Sequence, residues 1–278
     1  MPQFQPETAK ALPSGTVAVL GIPWDKSSTY MRGPAQAPDK VREQLYGGSA
    51  NLCTESGIDL GDREDFTDLG DLKLGADTDA QEAIETGASQ LLERGIRLLS
   101  IGGDHSVTEP LVAAHAKFYP DLEILHFDAH PDLYDEYEGD RFANACPFAR
   151  IMEAGHARRL VQVGIRTMNP HQRAQAERFG VEVVEMKDFD VSKTIRFEGP
   201  VYLSFDIDVL DPAFAPGVSH FEPGGMATRD ALSVIQAFEG NLVGADIVEI
   251  NPKRDPSGLT AMVGAKVLKE LAGRLLAG

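Results

Sequence analysis

The chain has 278 residues, of which 42% are hydrophobic and 25% are charged, as is typical of a globular protein. No apolar run reaches the ~18 residues that cross a bilayer, so neither a membrane span nor a membrane partner is expected. The formal net charge of −17 argues against nucleic acid as a partner, because nucleic acid binds a basic face. The acidic surface serves solubility, or it attracts metal ions and cationic guanidinium or amine substrates.

Short apolar runs alternate with helical patterns along the chain. Strands are predicted over 16–22, 96–101, 122–127, 160–165, 181–186, 200–205 and 242–250. Helices are predicted over 77–95, 107–119, 169–180, 228–240 and 257–278. This alternation is typical of a mainly parallel sheet with helices on both faces. We therefore predict an α/β fold in which residues 1–278 form a single three-layer α/β/α domain.

Residues 1–15 lack the basic and apolar segments of a secretory signal peptide, so the expected location is the cytoplasm. Separately, Cys53 and Cys146 lie too far apart for a disulfide framework or a zinc finger, so we predict two reduced, partly buried thiols.

Polar side chains follow three predicted strands at their carboxyl ends, where sites form in α/β sheets. In GGDHS, His105 follows a Gly-Gly pair, and taken alone such a histidine is more often structural. In FDAHPD, the residues Asp128, His130 and Asp132 alternate, so a continuing strand would place them on one face. Carboxylates packed this densely are costly to bury without a counter-charge, and a metal ion resolves that cost.

The third motif, SFDID, places Asp206 and Asp208 two residues apart directly after an apolar strand. Without a cation two such carboxylates would repel each other. A set rich in carboxylates with some histidine suits Mn²⁺ better than structural zinc, and two metals sharing ligands favour hydrolysis. The predicted metal ligands are His105, Asp128, His130, Asp132, Asp206 and Asp208.

These motifs together resemble the ureohydrolases, the family of arginases and agmatinases. GVSHFEPGG (217–225) and FARIMEAG (148–155) are closest in style to plant-type arginases and their bacterial relatives. The resemblance implies an arginase-like α/β fold, two Mn²⁺ ions per subunit on the six predicted ligands, and homo-oligomers that are trimers or hexamers. It also implies that Asp128 and Asp206 bridge the two ions.

The resemblance further implies which residues act on the substrate. Glu249, in DIVEINP, would pair with the substrate guanidinium, and its bidentate carboxylate suits a planar fork. His220 stands where many members have threonine and could line the pocket. Asp128 would accept a proton and pass it to the leaving amine. The expected reaction is hydrolysis of a guanidino compound to urea and an amine.

The substrate tail distinguishes arginine, which carries an ammonium and a carboxylate, from agmatine, which carries only an amine. The acidic loop 133–143 is expected to read this tail. Asp135 in this loop would suit an amine, whereas Arg141 could pair with a carboxylate. The plant-type resemblance favours L-arginine, with agmatine as the alternative.

One residue departs from the family pattern. The family has a histidine in a motif like S-H-A-x-x-F-A-R, where this chain has Asn144 in ANACPFAR. That histidine is thought to carry a proton to the leaving amine, and asparagine cannot titrate in this range. General acid–base help is worth about 10²–10⁴-fold, so turnover is expected to fall while binding survives. Asn144 therefore keeps open a second reading, a guanidino-binding protein of low activity; a one-zinc deacetylase of acylated amines is a third.

Overall fold

The computed structural model of the protein describes residues 3–75 and 79–278. Within these ranges eight strands form one sheet in which every neighbouring pair is parallel. The strands are β1 (Val17–Gly21), β2 (Phe66–Asp71), β3 (Arg97–Ile101), β4 (Glu123–Phe127), β5 (Arg159–Ile165), β6 (Glu182–Glu185), β7 (Arg196–Asp206) and β8 (Glu239–Val248). Their order across the sheet is β2-β1-β3-β8-β7-β4-β5-β6.

Helices cover both faces of this sheet. They are α1 (Pro6–Lys10), α2 (Ala37–Leu45), α3 (Ala80–Leu92), α4 (Thr108–Ala116), α5 (Pro147–Glu153), α6 (Pro170–Phe179), α7 (Thr228–Ala237) and α8 (Leu259–Ala277). One apolar core contains Val41 of α2 and Leu268 of α8, and a second contains Leu91 of α3 and Phe148 of α5. The predicted three-layer α/β fold is confirmed; that residues 1–278 form a single domain stays a prediction.

The sequence patterns missed several elements. Strand β2 was not predicted because it is a half-buried edge strand with the polar sequence FTDLGD, and the short helices α1, α2 and α5 were also missed. The helix predicted over 228–240 runs too far, since α7 ends at Ala237 and β8 begins at Glu239. The helix predicted from residue 77 begins outside the described residues; Asp79 caps α3.

Both cysteines are free thiols, and Cys146 is fully buried. Among the described residues, we find no helix that combines the length and the apolar character needed to cross a membrane.

The strand order decides where the polar motifs meet. Strands β3, β8, β7 and β4 are consecutive neighbours at the centre of the sheet. Their carboxyl ends carry GGDHS, the DIVEINP segment, SFDID and FDAHPD respectively. Because parallel strands end at the same edge, all four motifs converge there.

Candidate metal and guanidinium site

One imidazole meets three carboxylates at this edge of the sheet. Nδ1 of His105 lies 3.2 Å from Oδ2 of Asp128 and 3.1 Å from Oδ2 of Asp132. It also lies 3.2 Å from Oδ2 of Asp206. This buried nitrogen has no hydrogen-bond partner among the described residues. Three carboxylate oxygens around one imidazole nitrogen are a donor set that a bound cation would satisfy.

A second, adjoining cluster surrounds His130. Its Nδ1 lies 3.0 Å from Oδ2 of Asp208 and 3.4 Å from Oδ1 of Asp128. Asp128 thus turns one oxygen toward each cluster, which is the position that a bridging ligand requires. The six residues predicted from the sequence therefore fall into two adjoining groups that share Asp128, as a two-metal site would require.

Backbone amides fix several of these carboxylates in place. Oδ1 of Asp128 accepts from the amide of His130 at 2.6 Å, and Oδ1 of Asp208 accepts from the amide of Ala129 at 3.1 Å. Oδ1 of Asp206 accepts from the amide of Asp208 at 2.8 Å. The turns that follow β4 and β7 therefore preorganise the ligand oxygens.

A row of buried polar side chains crosses the sheet next to this site. The strand register pairs Gln162 with His126, His126 with Ser204, and Ser204 with Asp246. The Gln162 amide nitrogen lies 3.0 Å from Nδ1 of His126, and Nε2 of His126 lies 2.9 Å from Oδ2 of Asp128. Since the amide can only donate, Nδ1 of His126 accepts and its Nε2–H donates to Asp128.

The other end of the row holds the ring of His105. Its Nε2 lies 3.0 Å from Oγ of Ser204, whose hydroxyl donates to Oδ1 of Asp246 at 2.7 Å. Asp246 also accepts from the hydroxyls of Tyr202 at 2.7 Å and Thr108 at 2.9 Å. Such outer partners set the orientation of a ligating histidine.

Burial makes the carboxylate cluster costly without a cation. Burial and the neighbouring Asp208 raise the pKa of Asp206 well above its ordinary value. Burial and Asp128 raise the pKa of Asp132 to about 6. Although burial opposes it, the imidazoles of His105, His126 and His130 close to its oxygens hold the pKa of Asp128 well below its ordinary value. The residues thus fit a pair of divalent cations, which would stabilise all the carboxylates in their charged form.

Glu249 and Asn144 form a hydrogen-bonded pair on the wall of the same site. Oε1 of Glu249 accepts from Nδ2 of Asn144 at 2.8 Å and from the backbone amide of His105 at 2.9 Å. Oε2 is buried and has no partner among the described residues. Burial and the Asp104 carboxylate raise the pKa of Glu249 to about 8. One oxygen is therefore fixed by the protein while the other is left for a cationic ligand.

Asn144 also joins two loops. Its side-chain Oδ1 accepts from the backbone amide of Thr29 at 3.0 Å, and its backbone amide donates to the carbonyl of Ser27 at 3.0 Å. The loop after β1 approaches closely because Gly103 has no side chain, since a Cβ there would lie 1.6 Å from the carbonyl oxygen of Trp24. Asn144 therefore holds the loop after β1 and the Glu249 carboxylate together.

Backbone strain coincides with the site. Asp132 has φ 49° and Glu249 has φ 63°, in the left-handed region that side chains other than glycine seldom adopt. Such strain persists only where the surrounding structure enforces it, and it concentrates at functional sites.

A pocket opens onto both clusters. It is lined by Thr29, His130, Asp132, Tyr134, Tyr137, Asn144, Ala145, Thr167, Asn169, Gln172, Asp206, Asp208, His220 and Glu249. His220 thus lies on the pocket wall, with its ring centroid 5.8 Å from that of His130. Asp128 and His105 lie behind this wall, fully buried.

Asp135 is not among these lining residues. Its Oδ1 accepts from Arg141 at 3.0 Å and from Arg150 at 2.9 Å. Both predicted tail-reading charges, Asp135 and Arg141, are therefore engaged with protein partners. A substrate contact by Asp135 stays a prediction.

The sequence patterns missed the supporting residues His126, Gln162, Ser204 and Asp246. Each is a polar residue flanked by apolar residues within its strand, and that was the available signal. Their pairing could not be read from one strand alone, because it depends on the register between strands.

Comparison with known proteins identifies the family and the fold. The model of the arginase family matches residues 15–273. The chain belongs to the arginase family. Arginase 2, chloroplastic/mitochondrial, of Arabidopsis thaliana is 46% identical over 277 residues, which are 94% of this chain and 80% of that protein. The agmatinase of Neisseria meningitidis is 35% identical, covering 91% of this chain and 85% of that protein.

A solved structure agrees with this family assignment. The arginase from Medicago truncatula matches with a TM-score of 0.91 and 41% identity, covering 97% of this chain and 91% of that one. The predicted resemblance to ureohydrolases, and to plant-type arginases in particular, is confirmed.

The expected cytoplasmic location of this arginase-family chain is wrong by the same comparison. The Arabidopsis relative is named chloroplastic/mitochondrial, which points to an organelle. The expectation rested on the lack of a secretory signal, and that feature does not separate the cytoplasm from an organelle.

Proposed function

We propose that this arginase-family chain hydrolyses L-arginine to L-ornithine and urea with two bound Mn²⁺ ions. The observation that carries the proposal is the buried Oε2 of Glu249, which has no partner among the residues described. Glu249 lines the same pocket as carboxylates of the two clusters. A guanidinium bound there would present its carbon to the metal ligands. The identity to plant arginases supports arginine as the substrate.

The residues that would hold the two ions follow from the two clusters. His105 and Asp132 would bind one ion and His130 and Asp208 the other, with Asp128 shared between them. Asp206, at 3.2 Å from His105, completes the set. Bound divalent ions acidify water and stabilise the negative charge of a tetrahedral intermediate.

The chain's own residues supply binding and proton transfer. The Oε2 atom of Glu249 would accept the N–H groups of the guanidinium and set the orientation of its plane. Asp132 lines the pocket, whereas Asp128 lies behind its wall with both oxygens engaged. We therefore assign to Asp132 the proton-accepting role that the resemblance implied for Asp128.

Asn144 favours a second candidate function, that of a guanidino-binding protein with slow turnover. It lies at the Glu249 carboxylate as a hydrogen-bond donor and cannot carry a proton. Its amide assists substrate binding but supplies no general acid. We propose that turnover is reduced on this account, by a factor within the range of about 10²–10⁴ that general acids contribute.

Urea release tests the function directly. We expect Mn²⁺-loaded protein to release urea from L-arginine faster than from agmatine, and Glu249→Gln to abolish release from both. Faster release from agmatine would favour the agmatinase alternative. Arginine binding without urea release, in the protein and in Asn144→His alike, would establish the binding protein, and no binding would reject the proposal.

We also propose a homo-oligomer, a trimer or a hexamer. This follows from family membership alone, and light scattering of the purified protein would measure its mass.

A further inference from the structure

The walls of the pocket differ in charge. Its lining carboxylates come from the ends of β4, β7 and β8, as Asp132, Asp206, Asp208 and Glu249. The segment after β5, which includes the start of α6, contributes Thr167, Asn169 and Gln172, all of them neutral. Since β5 lies beyond β4 in the sheet order, this neutral wall is on the side away from Glu249.

Gln172 is the unusual member of this wall. Only 4% of the residue is exposed, yet its side-chain amide makes no hydrogen bond with any residue that the structure describes. Only its backbone amide is engaged, donating to Oδ1 of Asn169 at 2.9 Å. This unpartnered amide lines the pocket, where a ligand could accept its N–H.

Neighbouring groups give this wall a preference for negative charge. Nδ2 of Asn169 donates to the hydroxyl oxygen of Tyr134 at 2.6 Å, so the Tyr134 hydrogen remains free to donate elsewhere. Asn169 and Gln172 lie at the N-terminus of α6, a helix of 10 residues whose dipole favours an anion there. An ammonium group would meet the same dipole unfavourably.

Two carboxylates of the neighbouring segments, Asp135 and Glu153, are paired with arginines. Asp135 directly follows Tyr134 in the chain, and its carboxylate is bound by Arg141 and Arg150. Glu153 is likewise bound by Arg141, at 2.6 Å. Their charges are compensated within the protein, so they offer no free acceptor for an amine.

We propose that Gln172, with Thr167 and the Tyr134 hydroxyl, binds the carboxylate of a guanidino acid at the N-terminus of α6 and thereby selects such acids over guanidino amines. The inference rests on the proposed function and names the residue that determines its specificity. Recognition is by N–H and O–H donors together with the helix dipole, without a cationic side chain.

Binding measurements on two variants test this directly. L-arginine, agmatine and 3-guanidinopropionate, which has a carboxylate but no amine, are titrated into Mn²⁺-loaded protein by calorimetry. We expect Gln172→Leu to weaken the binding of both acids at least about tenfold, since their charged carboxylate loses a hydrogen bond. The affinity for agmatine should change by less than about threefold. Gln172→Glu should raise the ratio of agmatine affinity to arginine affinity at least about tenfold.

The matched control is Gln175→Leu. Gln175 lies one turn further along α6 and is also buried, at 7% exposed, but it does not line the pocket. The control should leave the affinities for all three compounds unchanged. If Gln172→Leu lowers the melting temperature, Thr167→Val removes another donor from the same wall and should also weaken the two acids selectively.

The outcomes separate this inference from the proposed function. If the protein releases urea from arginine but Gln172→Glu does not change the ratio of agmatine affinity to arginine affinity, the inference is overturned and the proposed function stays intact. Equal weakening of all three compounds by Gln172→Leu would overturn it too, as would weakening of arginine without 3-guanidinopropionate. If the protein binds acids selectively through Gln172 but releases no urea from any compound, the inference holds and the hydrolase proposal fails.

Discussion

Two clusters of carboxylates show how differently this fold treats negative charge. At the edge strand β2, Asp68 and Asp71 both bind Arg42, of which only 3% of the side chain is exposed. At the carboxyl ends of β3, β4 and β7, the carboxylates converge instead on imidazoles, and Nδ1 of His105 has no hydrogen-bond partner in the part of the chain that the structure describes. The edge cluster carries its own cation, whereas the central cluster leaves room for one that the protein does not supply.

The difference teaches which cluster serves stability and which serves function. The buried Arg42 guanidinium, whose hydrogen bonds to Asp68 and Asp71 are satisfied, holds α2 against β2. Uncompensated buried carboxylates destabilise the chain and are retained where a ligand repays the cost. Substitutions in the two clusters should therefore have opposite effects on stability and activity.

The largest effect is expected for Asp206→Asn. It removes a predicted metal ligand, so urea release should fall on the order of a thousandfold, because a bound metal contributes several kcal/mol to such a reaction. The metal-free protein should melt at a higher temperature, because a buried carboxylate with a raised pKa has been made neutral. Steady-state assays and calorimetry measure the two quantities. Undiminished urea release would remove Asp206 from the metal site.

This contrast explains how far the sequence could predict the site. Asp128, His130 and Asp132 were predictable because alternation after an apolar strand places them together, and parallel strands bring Asp206 to the same edge. His126 was missed because its role depends on Gln162 in the neighbouring strand and on the register between them. The central strands were predictable as apolar runs, whereas β2 was hidden by its polar sequence.

The edge cluster should respond in the opposite way. Arg42→Met leaves Asp68 and Asp71 without their cation, and breaking a buried pair costs about 3 kcal/mol of unfolding free energy. The kcat for arginine should be unchanged, because Arg42 is not among the pocket-lining residues. Unfolding in guanidinium chloride measures the loss of stability. A large fall in kcat with little change in stability would contradict this assignment.

Asn144→His should raise kcat for arginine by about a hundredfold, at the low end of what a general acid contributes. Asn144→Ala is the matched variant, since it removes the amide bond to Glu249 without adding an acid. The alanine variant should raise KM and leave kcat low. An equal kcat in the histidine and alanine variants would show that a missing general acid does not limit turnover.

A third cluster, on the surface, should give the smallest effect. Hydrogen bonds from Arg229, Gln236 and Lys266 outweigh burial and lower the pKa of Glu55 below its ordinary value. A lowered pKa in the folded state stabilises the fold at pH values above the ordinary pKa. This contribution is lost as the pH falls through the folded-state pKa. Glu55→Gln should therefore cost below about 1 kcal/mol at pH 7, since the pair is partly exposed. The difference in melting temperature should shrink as the pH is lowered below about 4; a constant difference would contradict the charge-based explanation.

The central claim is that the strand-end carboxylates are balanced by two bound divalent ions. Titration of metal-free protein with Mn²⁺ in a calorimeter, joined to elemental analysis of the saturated protein, tests it most directly. We predict two ions per chain and a melting temperature that rises as they bind, because the ions favour the folded state. One ion per chain, or none, would contradict the claim.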